Sequence, residues 1–100
     1  GEVRGRVAVI VDDLISTGST LVRAATACRA AGATRVFAGA AHGLFMEGAP
    51  ALFASPAIDG IAVTDTVPPF RVTEAAAARL TVLDASDAIA RAIVACRDLA

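Results

Sequence analysis

The chain alternates apolar runs of strand length with segments of helical periodicity. The first apolar run, roughly Arg6 to Val11, is mostly β-branched, which predicts a buried parallel strand covered on both faces. A helical pattern over Thr17 to Ala31 follows, and Gly32 is placed to end that helix in a left-handed cap. Strands that alternate with helices predict an α/β protein built on a parallel sheet.

The remaining elements are shorter but repeat the same alternation. Later strands are predicted at Arg35 to Ala41, Ile61 to Thr64 and Leu80 to Leu83, with short helical segments at Glu47 to Ala54 and Glu74 to Arg79. Ser86 is expected to cap a last helix. The stripe that this helix is expected to bury consists of Ile89, Ile93, Cys96 and Ala100.

Polar side chains cluster directly after the first predicted strand. Asp12 and Asp13 follow it, and a loop rich in hydroxyls and glycine, Ser16 to Thr20, opens the first helix. Backbone N–H groups and hydroxyls at a helix N-terminus form an anion site. The carboxylates would repel an anion, so they suit a polyol, a divalent metal or a developing positive charge beside it. A phosphate pocket next to an acidic pocket is typical of a sugar-phosphate site.

The stretch Val11 to Thr20, VDDLISTGST, resembles the phosphoribosyl-pyrophosphate (PRPP) motif of the type I phosphoribosyltransferase fold. Ala41 to Phe45 (AHGLF), Ser55 to Asp59 (SPAID) and Val63 to Pro68 (VTDTVP) are similar to segments of ribose-phosphate pyrophosphokinase, or PRPP synthetase. The resemblance implies a three-layer α/β fold, a mostly parallel sheet with flanking helices. Residues 1–100 are expected to be a C-terminal portion of such a domain and to be inactive alone.

The resemblance also implies a role for each motif residue. The loop residues Ser16, Thr17, Gly18, Ser19 and Thr20 would hold the 5-phosphate of ribose 5-phosphate or of PRPP. Asp12 and Asp13 would bind the ribose 2- and 3-hydroxyls, directly or through Mg²⁺. A side chain at Gly18 is expected to block the phosphate. No catalytic residue is assigned within this chain, and ATP would bind through residues outside it.

The implied parent is a cytoplasmic, homo-oligomeric transferase of nucleotide biosynthesis that makes PRPP from ribose 5-phosphate and ATP. Two alternatives share the same loop: a nucleobase phosphoribosyltransferase that uses PRPP, and a non-catalytic, synthetase-associated regulatory subunit. Walker A and dinucleotide-binding loops are disfavoured, because the chain has no lysine and the loop has one glycine. A structural alternative to these functions is that Asp12 and Asp13 act only as helix caps.

Composition adds limits to these functions. A net charge of −1 gives no electrostatic reason to expect nucleic-acid or membrane binding. Cys28 and Cys96 are predicted to be small buried hydrophobes in a reducing compartment. His42 is expected to be a hydrogen-bonded structural residue, and Asp65 either faces the ligand edge or caps a loop. Four strands are too few to cover the first one, so an exposed apolar edge at Val7 to Val11 and self-association are expected.

Overall fold

A computed structural model describes residues 2–99, in which four parallel strands form one sheet in the order of the chain. The strands are β1 (Val7–Ile15), β2 (Arg35–Gly43), β3 (Gly60–Thr64) and β4 (Leu80–Leu83). The helices are α1 (Ser19–Ala30), α2 (Pro50–Ala54), α3 (Glu74–Ala77) and α4 (Ser86–Leu99), with a 3₁₀ turn at Met46–Gly48 before α2. The predicted α/β class, with a parallel sheet and flanking helices, is confirmed.

Helices α1, α2 and α3 pack together on one face of the sheet. Successive strand residues point to opposite faces, so alternate positions of each strand meet these helices. The buried side chains that form this core include Ala8, Val36, Ala38, Ile61 and Val63 from the strands and Leu21, Ala25, Leu52 and Phe53 from the helices. The alanines leave room for the helices to approach the sheet closely.

The opposite face of the sheet is uncovered within residues 2–99. Val7, Val9 and Val11 lie on it with 54%, 65% and 77% of their surface exposed, and β1 is an edge strand paired only with β2. The prediction that both faces of this strand are covered is therefore wrong for the chain described, whereas the expected exposed apolar edge is confirmed. Of the three layers expected, the described chain contains the sheet and one helical layer.

Helix α4 buries none of its residues and makes no extensive contact with another helix or strand of the described chain. The prediction that Ile89, Ile93 and Cys96 form a buried stripe is wrong, because all three are exposed. Ala100, assigned to the same stripe, lies outside the described residues. Cys28 does pack partly buried against the core. No helix among residues 2–99 combines the length and apolar character needed to cross a membrane.

The end of α1 has the predicted left-handed cap. Gly32 has a φ of 99°, and its N–H donates to the carbonyl of Arg29 at 3.0 Å. The N–H of Ala33 donates to the carbonyl of Cys28, also at 3.0 Å. These two bonds form a Schellman motif, which satisfies carbonyls that the helix leaves unpaired. The glycine therefore sets where α1 stops and β2 begins.

Two arginines, to which the sequence assigned no role, join the helical layer to the strands. Arg79 donates to the main-chain carbonyls of Phe53 (2.5 Å), Ser55 (3.2 Å) and Ile58. Arg29 donates to the carboxylate of Asp59 at 2.5 Å, and the same carboxylate oxygen accepts the N–H of Val36 at 2.7 Å. Both guanidinium groups thus satisfy polar groups in the turn that follows α2.

Candidate functional site

The hydroxyl-rich loop connects β1 to α1 and opens the helix without a side-chain cap. Gly18 occupies the N-cap position with a φ of 85°, and no side chain caps the helix there. The first turn of α1 contains no acidic residue either, and Thr17 Oγ1 approaches the N–H of Ser19 only at 3.4 Å. The first N–H groups of a helix lack partners inside the helix. They are therefore free to bind an anion at this end of α1.

A cavity of about 110 Å³ lies at this helix end. All five predicted loop residues line it, together with Asp12, Leu14, Ile15 and Leu21. Four of the five loop residues carry hydroxyls, and no basic side chain lines the cavity. Its donors are therefore neutral groups, the hydroxyls and the backbone N–H groups, with one carboxylate at the rim.

Asp12 and Asp13 lie within β1 and not after it, which corrects the predicted end of the strand. Pairing with β2 continues from Val7 opposite Arg35 to Ile15 opposite Gly43. Asp12 lines the cavity, whereas Asp13 does not. The strand is longer than predicted because β2 also continues past Ala41 and supplies pairing partners.

Asp12 is the carboxylate that could hold a cation beside the cavity. Its side chain is exposed, and its Oδ1 accepts the N–H of Asp13 at 2.8 Å. Within residues 2–99, no three His, Cys, Asp or Glu side chains come together as a metal-binding group. A single carboxylate fits Mg²⁺, which is usually held by one or two carboxylates, waters and substrate phosphates.

The segment after β2 holds the base of the loop in place. The N–H of Leu44 donates to the carbonyl of Ile15, and the N–H of Met46 donates to the carbonyl of Ser16, both at 2.9 Å. The Phe45 ring lies over Gly43, where a Cβ would come within 2.5 Å of it. The segment that resembles the synthetase therefore has a structural role beside the site, which its pattern alone did not indicate.

This supporting segment has an unusual backbone. Phe45, Glu47 and Ala49 have φ values of 50°, 58° and 46°, in the left-handed region that residues with a side chain seldom adopt. Such conformations persist where surrounding contacts hold them, and Phe45 and Ala49 are both buried. The helix predicted over Glu47 to Ala54 is accordingly divided into the 3₁₀ turn and α2.

Packing gives Gly18 a structural reason that the sequence did not indicate, and the expected block of a phosphate by a side chain there stays a prediction. A Cβ at this position would lie 2.7 Å from the Cβ of Leu52 in α2, and the φ of 85° also disfavours a side chain. The added atom would therefore collide with the hydrophobic core beneath the loop. The glycine lets the loop approach α2 closely, and so fixes the floor of the cavity.

His42 and Asp65 both make hydrogen bonds near the ends of their strands. His42 Nδ1 lies 2.6 Å from Thr66 Oγ1, and the hydroxyl of Thr64 donates to the carbonyl of Ala41 at 2.5 Å. Asp65 Oδ1 accepts the N–H of Ala85 at 3.0 Å. His42 is thus the hydrogen-bonded residue expected, and Asp65 caps the loop before α4. Thr64 and Thr66 lie in the Val63 to Pro68 segment that resembles the synthetase, but no role was predicted for either side chain.

The chain was compared with families of known proteins. The family model described as the phosphoribosyl synthetase-associated domain matches residues 1–98. A ribose-phosphate pyrophosphokinase of Haemophilus ducreyi is 50% identical over 68 residues, which are 68% of this chain and 22% of that protein. A ribose-phosphate pyrophosphokinase of Thermococcus kodakarensis is 49% identical over 67 residues, which are 67% of this chain and 24% of that protein.

A solved structure gives the same result for the fold. The crystal structure of phosphoribosylpyrophosphate synthetase from Mycobacterium smegmatis matches with a TM-score of 0.81 and 30% sequence identity. The match covers 100% of this chain and 33% of that chain. This chain therefore spans between about a fifth and a third of the length of these relatives.

Proposed function

Because this chain belongs to the phosphoribosyl synthetase-associated domain family, we propose that its Ser16–Thr20 loop binds the 5-phosphate of ribose 5-phosphate. The cavity at the N-terminus of α1 carries this proposal. It is small, it is lined by four hydroxyls, and its helix end has no cap. A phosphate group would accept hydrogen bonds from the free N–H groups and the hydroxyls together, and the helix dipole favours its charge.

Asp12 gives the site its preference for a sugar over a free anion. Its carboxylate lines the same cavity and would accept hydrogen bonds from ribose hydroxyls. It would also hold Mg²⁺, directly or through water, and the bound ion would neutralise phosphate charge. Asp13 does not line the cavity, so its part in the proposed site is smaller than the motif suggests.

The parent protein is proposed to be a ribose-phosphate pyrophosphokinase, a transferase that moves pyrophosphate from ATP to the 1-hydroxyl of ribose 5-phosphate. The relatives named above, two ribose-phosphate pyrophosphokinases and one phosphoribosylpyrophosphate synthetase by name, support this class over a nucleobase phosphoribosyltransferase. Phosphoryl transfer depends on positioning and charge neutralisation. Since no basic side chain lines the cavity, the ATP site and its cationic groups are proposed to lie outside this chain, in a cytoplasmic homo-oligomer.

The binding proposal is tested by titrating the chain with ribose 5-phosphate and with inorganic phosphate, followed by NMR shifts of Ser16 to Leu21. Asp12→Asn removes a negative charge at the rim, so phosphate should bind at least as tightly as to the wild type. The same variant should bind ribose 5-phosphate more weakly relative to phosphate. Asp87→Asn in α4 is the matched control and should change neither affinity.

The reaction is tested on the full-length parent protein by measuring PRPP formation from ATP and ribose 5-phosphate. PRPP formation is expected. PRPP consumption with a nucleobase would instead make the parent a phosphoribosyltransferase. Binding of ribose 5-phosphate without either activity would identify a regulatory subunit, and the loop assignment would stand.

A further inference from the structure

A second cavity, here called the α2–α3 cavity, lies between the segment that supports the loop and the chain that leads into α3. It has a volume of about 370 Å³, within the range of small-molecule sites, which is roughly 300 to 1,000 Å³. Its apolar lining consists of Pro50, Phe53, Ala54, Ala75 and Ala76, and its polar lining includes Glu47, Arg71 and Thr73. It shares no lining residue with the cavity at the start of α1, so it is a separate site.

The walls of the α2–α3 cavity are fixed by contacts within this chain. A Cβ at Gly48 would lie 3.1 Å from the carbonyl oxygen of Arg71, so the two walls approach each other closely there. Thr73 Oγ1 caps α3 by accepting a backbone N–H at 3.2 Å. Phe53, which is 7% exposed, packs its ring against that of Phe45 with the centroids 5.3 Å apart. The cavity is therefore formed before any ligand binds, as most small-molecule sites are.

Two residues of opposite charge line the α2–α3 cavity without pairing. Glu47 and Arg71 are both exposed, and within residues 2–99 neither of them belongs to an ion pair. The Arg71 guanidinium donates to the carbonyl of Leu44 at 3.2 Å and lies 4.3 Å from the centroid of the Phe70 ring. A guanidinium carries several N–H donors, so the bond to Leu44 leaves others for a ligand.

The backbone of Glu47 has a conformation that the packing of its own side chain does not explain. Its φ of 58° lies in the left-handed region, yet the residue is exposed, unlike Phe45 and Ala49 on either side. Backbone strain of this kind is concentrated at ligand sites and switch regions. The position that carries the strain is also the one that places an acidic residue at the cavity.

This combination of charges restricts the chemistry of the ligand. An anion would be repelled by Glu47, and a cation would be repelled by Arg71. A neutral planar ring would need an aromatic face to stack on, and the Phe53 ring is buried. A small zwitterion satisfies both charged residues, since its ammonium donates to the carboxylate and its own carboxylate accepts from the guanidinium.

We propose that the α2–α3 cavity binds a free α-amino acid with an apolar side chain. Such a molecule carries both of its charges on one carbon, which matches two charged residues at one small cavity. Its side chain would displace water from the apolar lining formed by Pro50, Phe53 and Ala76. The proposal is independent of the proposed phosphate site, because it rests on different residues.

Calorimetric titration of the chain with L-leucine and its analogues tests the proposal. Leucine should bind with a dissociation constant below about 1 mM. Isocaproate lacks the ammonium, isoamylamine lacks the carboxylate, and free glycine lacks the apolar side chain. Each of these should bind at least about 10-fold more weakly than leucine.

Charge-neutralising variants assign the two contacts separately. Glu47→Gln should weaken leucine binding at least about 10-fold and leave isocaproate binding no weaker than in the wild type. Arg71→Gln should also weaken leucine binding, but not that of isoamylamine. Glu74→Gln is the matched control, because Glu74 lies at the start of α3 and does not line the cavity. Circular dichroism checks that each variant folds, and the analogue series on the wild type decides the question if one does not.

Several results would overturn the proposal. They are the absence of saturable leucine binding, analogues that bind as tightly as leucine, and a Glu47→Gln variant that behaves like Glu74→Gln. The leucine titration is repeated on the full-length parent protein, where binding is expected as well. Binding by this chain but not by the parent would mean that another part of the parent covers the cavity, and would equally overturn the proposal.

Discussion

Single side chains that satisfy main-chain groups have a large part in this small fold, and Arg79 is the clearest case. Its guanidinium donates to three carbonyls, that of Phe53 near the end of α2 and those of Ser55 and Ile58 in the turn after it, and it is partly buried there. A carbonyl removed from water without a donor destabilises the folded state. The arginine thereby connects the start of β4 to the end of α2, two elements that its position in the sequence gives no reason to pair.

Replacing Arg79 with Met should lower the free energy of unfolding by about 2 kcal/mol, since the carbonyls lose charged hydrogen-bond donors. Urea unfolding followed by circular dichroism at fixed protein concentration measures the loss. Arg91→Met is the control, because its ion pair with Asp87 is exposed and contributes little. Equal effects of the two substitutions would contradict the role given to Arg79.

Gly18 offers a second prediction at this scale. Gly18→Ala should destabilise the chain by about 2 kcal/mol, through the positive φ and the contact with Leu52 together. Gly5→Ala separates the two causes, because Gly5 has a φ of 72° and open space where a Cβ would lie. The loss at Gly18 should exceed that at Gly5, and Leu52→Gly, which removes the Cβ of Leu52, should reduce the difference when combined with Gly18→Ala. A loss at Gly5 as large as at Gly18 would remove the packing explanation.

The elements differ in how far the sequence determines them. Local signals place the strands, because runs such as Leu80 to Leu83 are apolar and bounded by polar residues, and the predicted β4 has the observed bounds. Gly32 likewise marks the end of α1 by its own conformational preference. The extension of β1 through Asp12 and Asp13 depends on the length of β2, which is a property of the pair and not of either segment. The periodicity of α4 predicts an apolar stripe but not what covers it.

The sequence also determines only part of the candidate site. The five loop residues were predicted from their types and spacing, and all five line the cavity. Asp12 lines the cavity and Asp13 does not, a difference that a sequence pattern of two adjacent carboxylates does not reveal. The contacts of Leu44 and Met46 with the loop are backbone hydrogen bonds, so no side-chain pattern encodes them.

The stability of the start of α4 should depend on pH, because the carboxylate of Asp84 binds there. The hydroxyl of Ser86 and then its backbone N–H hydrogen-bond the carboxylate, which lowers the pKa of Asp84 from its usual 3.8. A lowered pKa in the folded state means that the contribution to stability is present above pH 3.8 and is lost as the pH falls through the lowered value.

An NMR titration of the Asp84 carboxyl carbon measures this pKa directly. Ser86→Ala removes the hydroxyl and keeps the N–H, so the midpoint should rise part of the way toward 3.8. The amide signal of Ser86 should follow the same midpoint in the wild type. A midpoint unchanged by Ser86→Ala would show that the hydroxyl is not the cause.

At the scale of the whole molecule, the protection of backbone amides from hydrogen exchange should differ between the strands and α4. β2 and β3 are each paired on both sides, and Val36, Ala38, Ile61 and Val63 are buried. Amide hydrogen exchange should therefore be slowest in these two strands and fast in α4. Slow exchange in α4 would mean that the helix packs on its own sheet or on a partner.

The order of the sheet, β1-β2-β3-β4, is also the order in which a ribosome would release the strands. No strand has to enter between two others that are already paired, as happens in folds whose central strand is late in the sequence. Each newly synthesised unit of strand and helix can add to the edge left by the unit before it, so structure can accumulate during translation and needs no rearrangement afterwards. Within residues 2–99, the outer side of β1, the strand that carries the motif, has no partner strand throughout this growth.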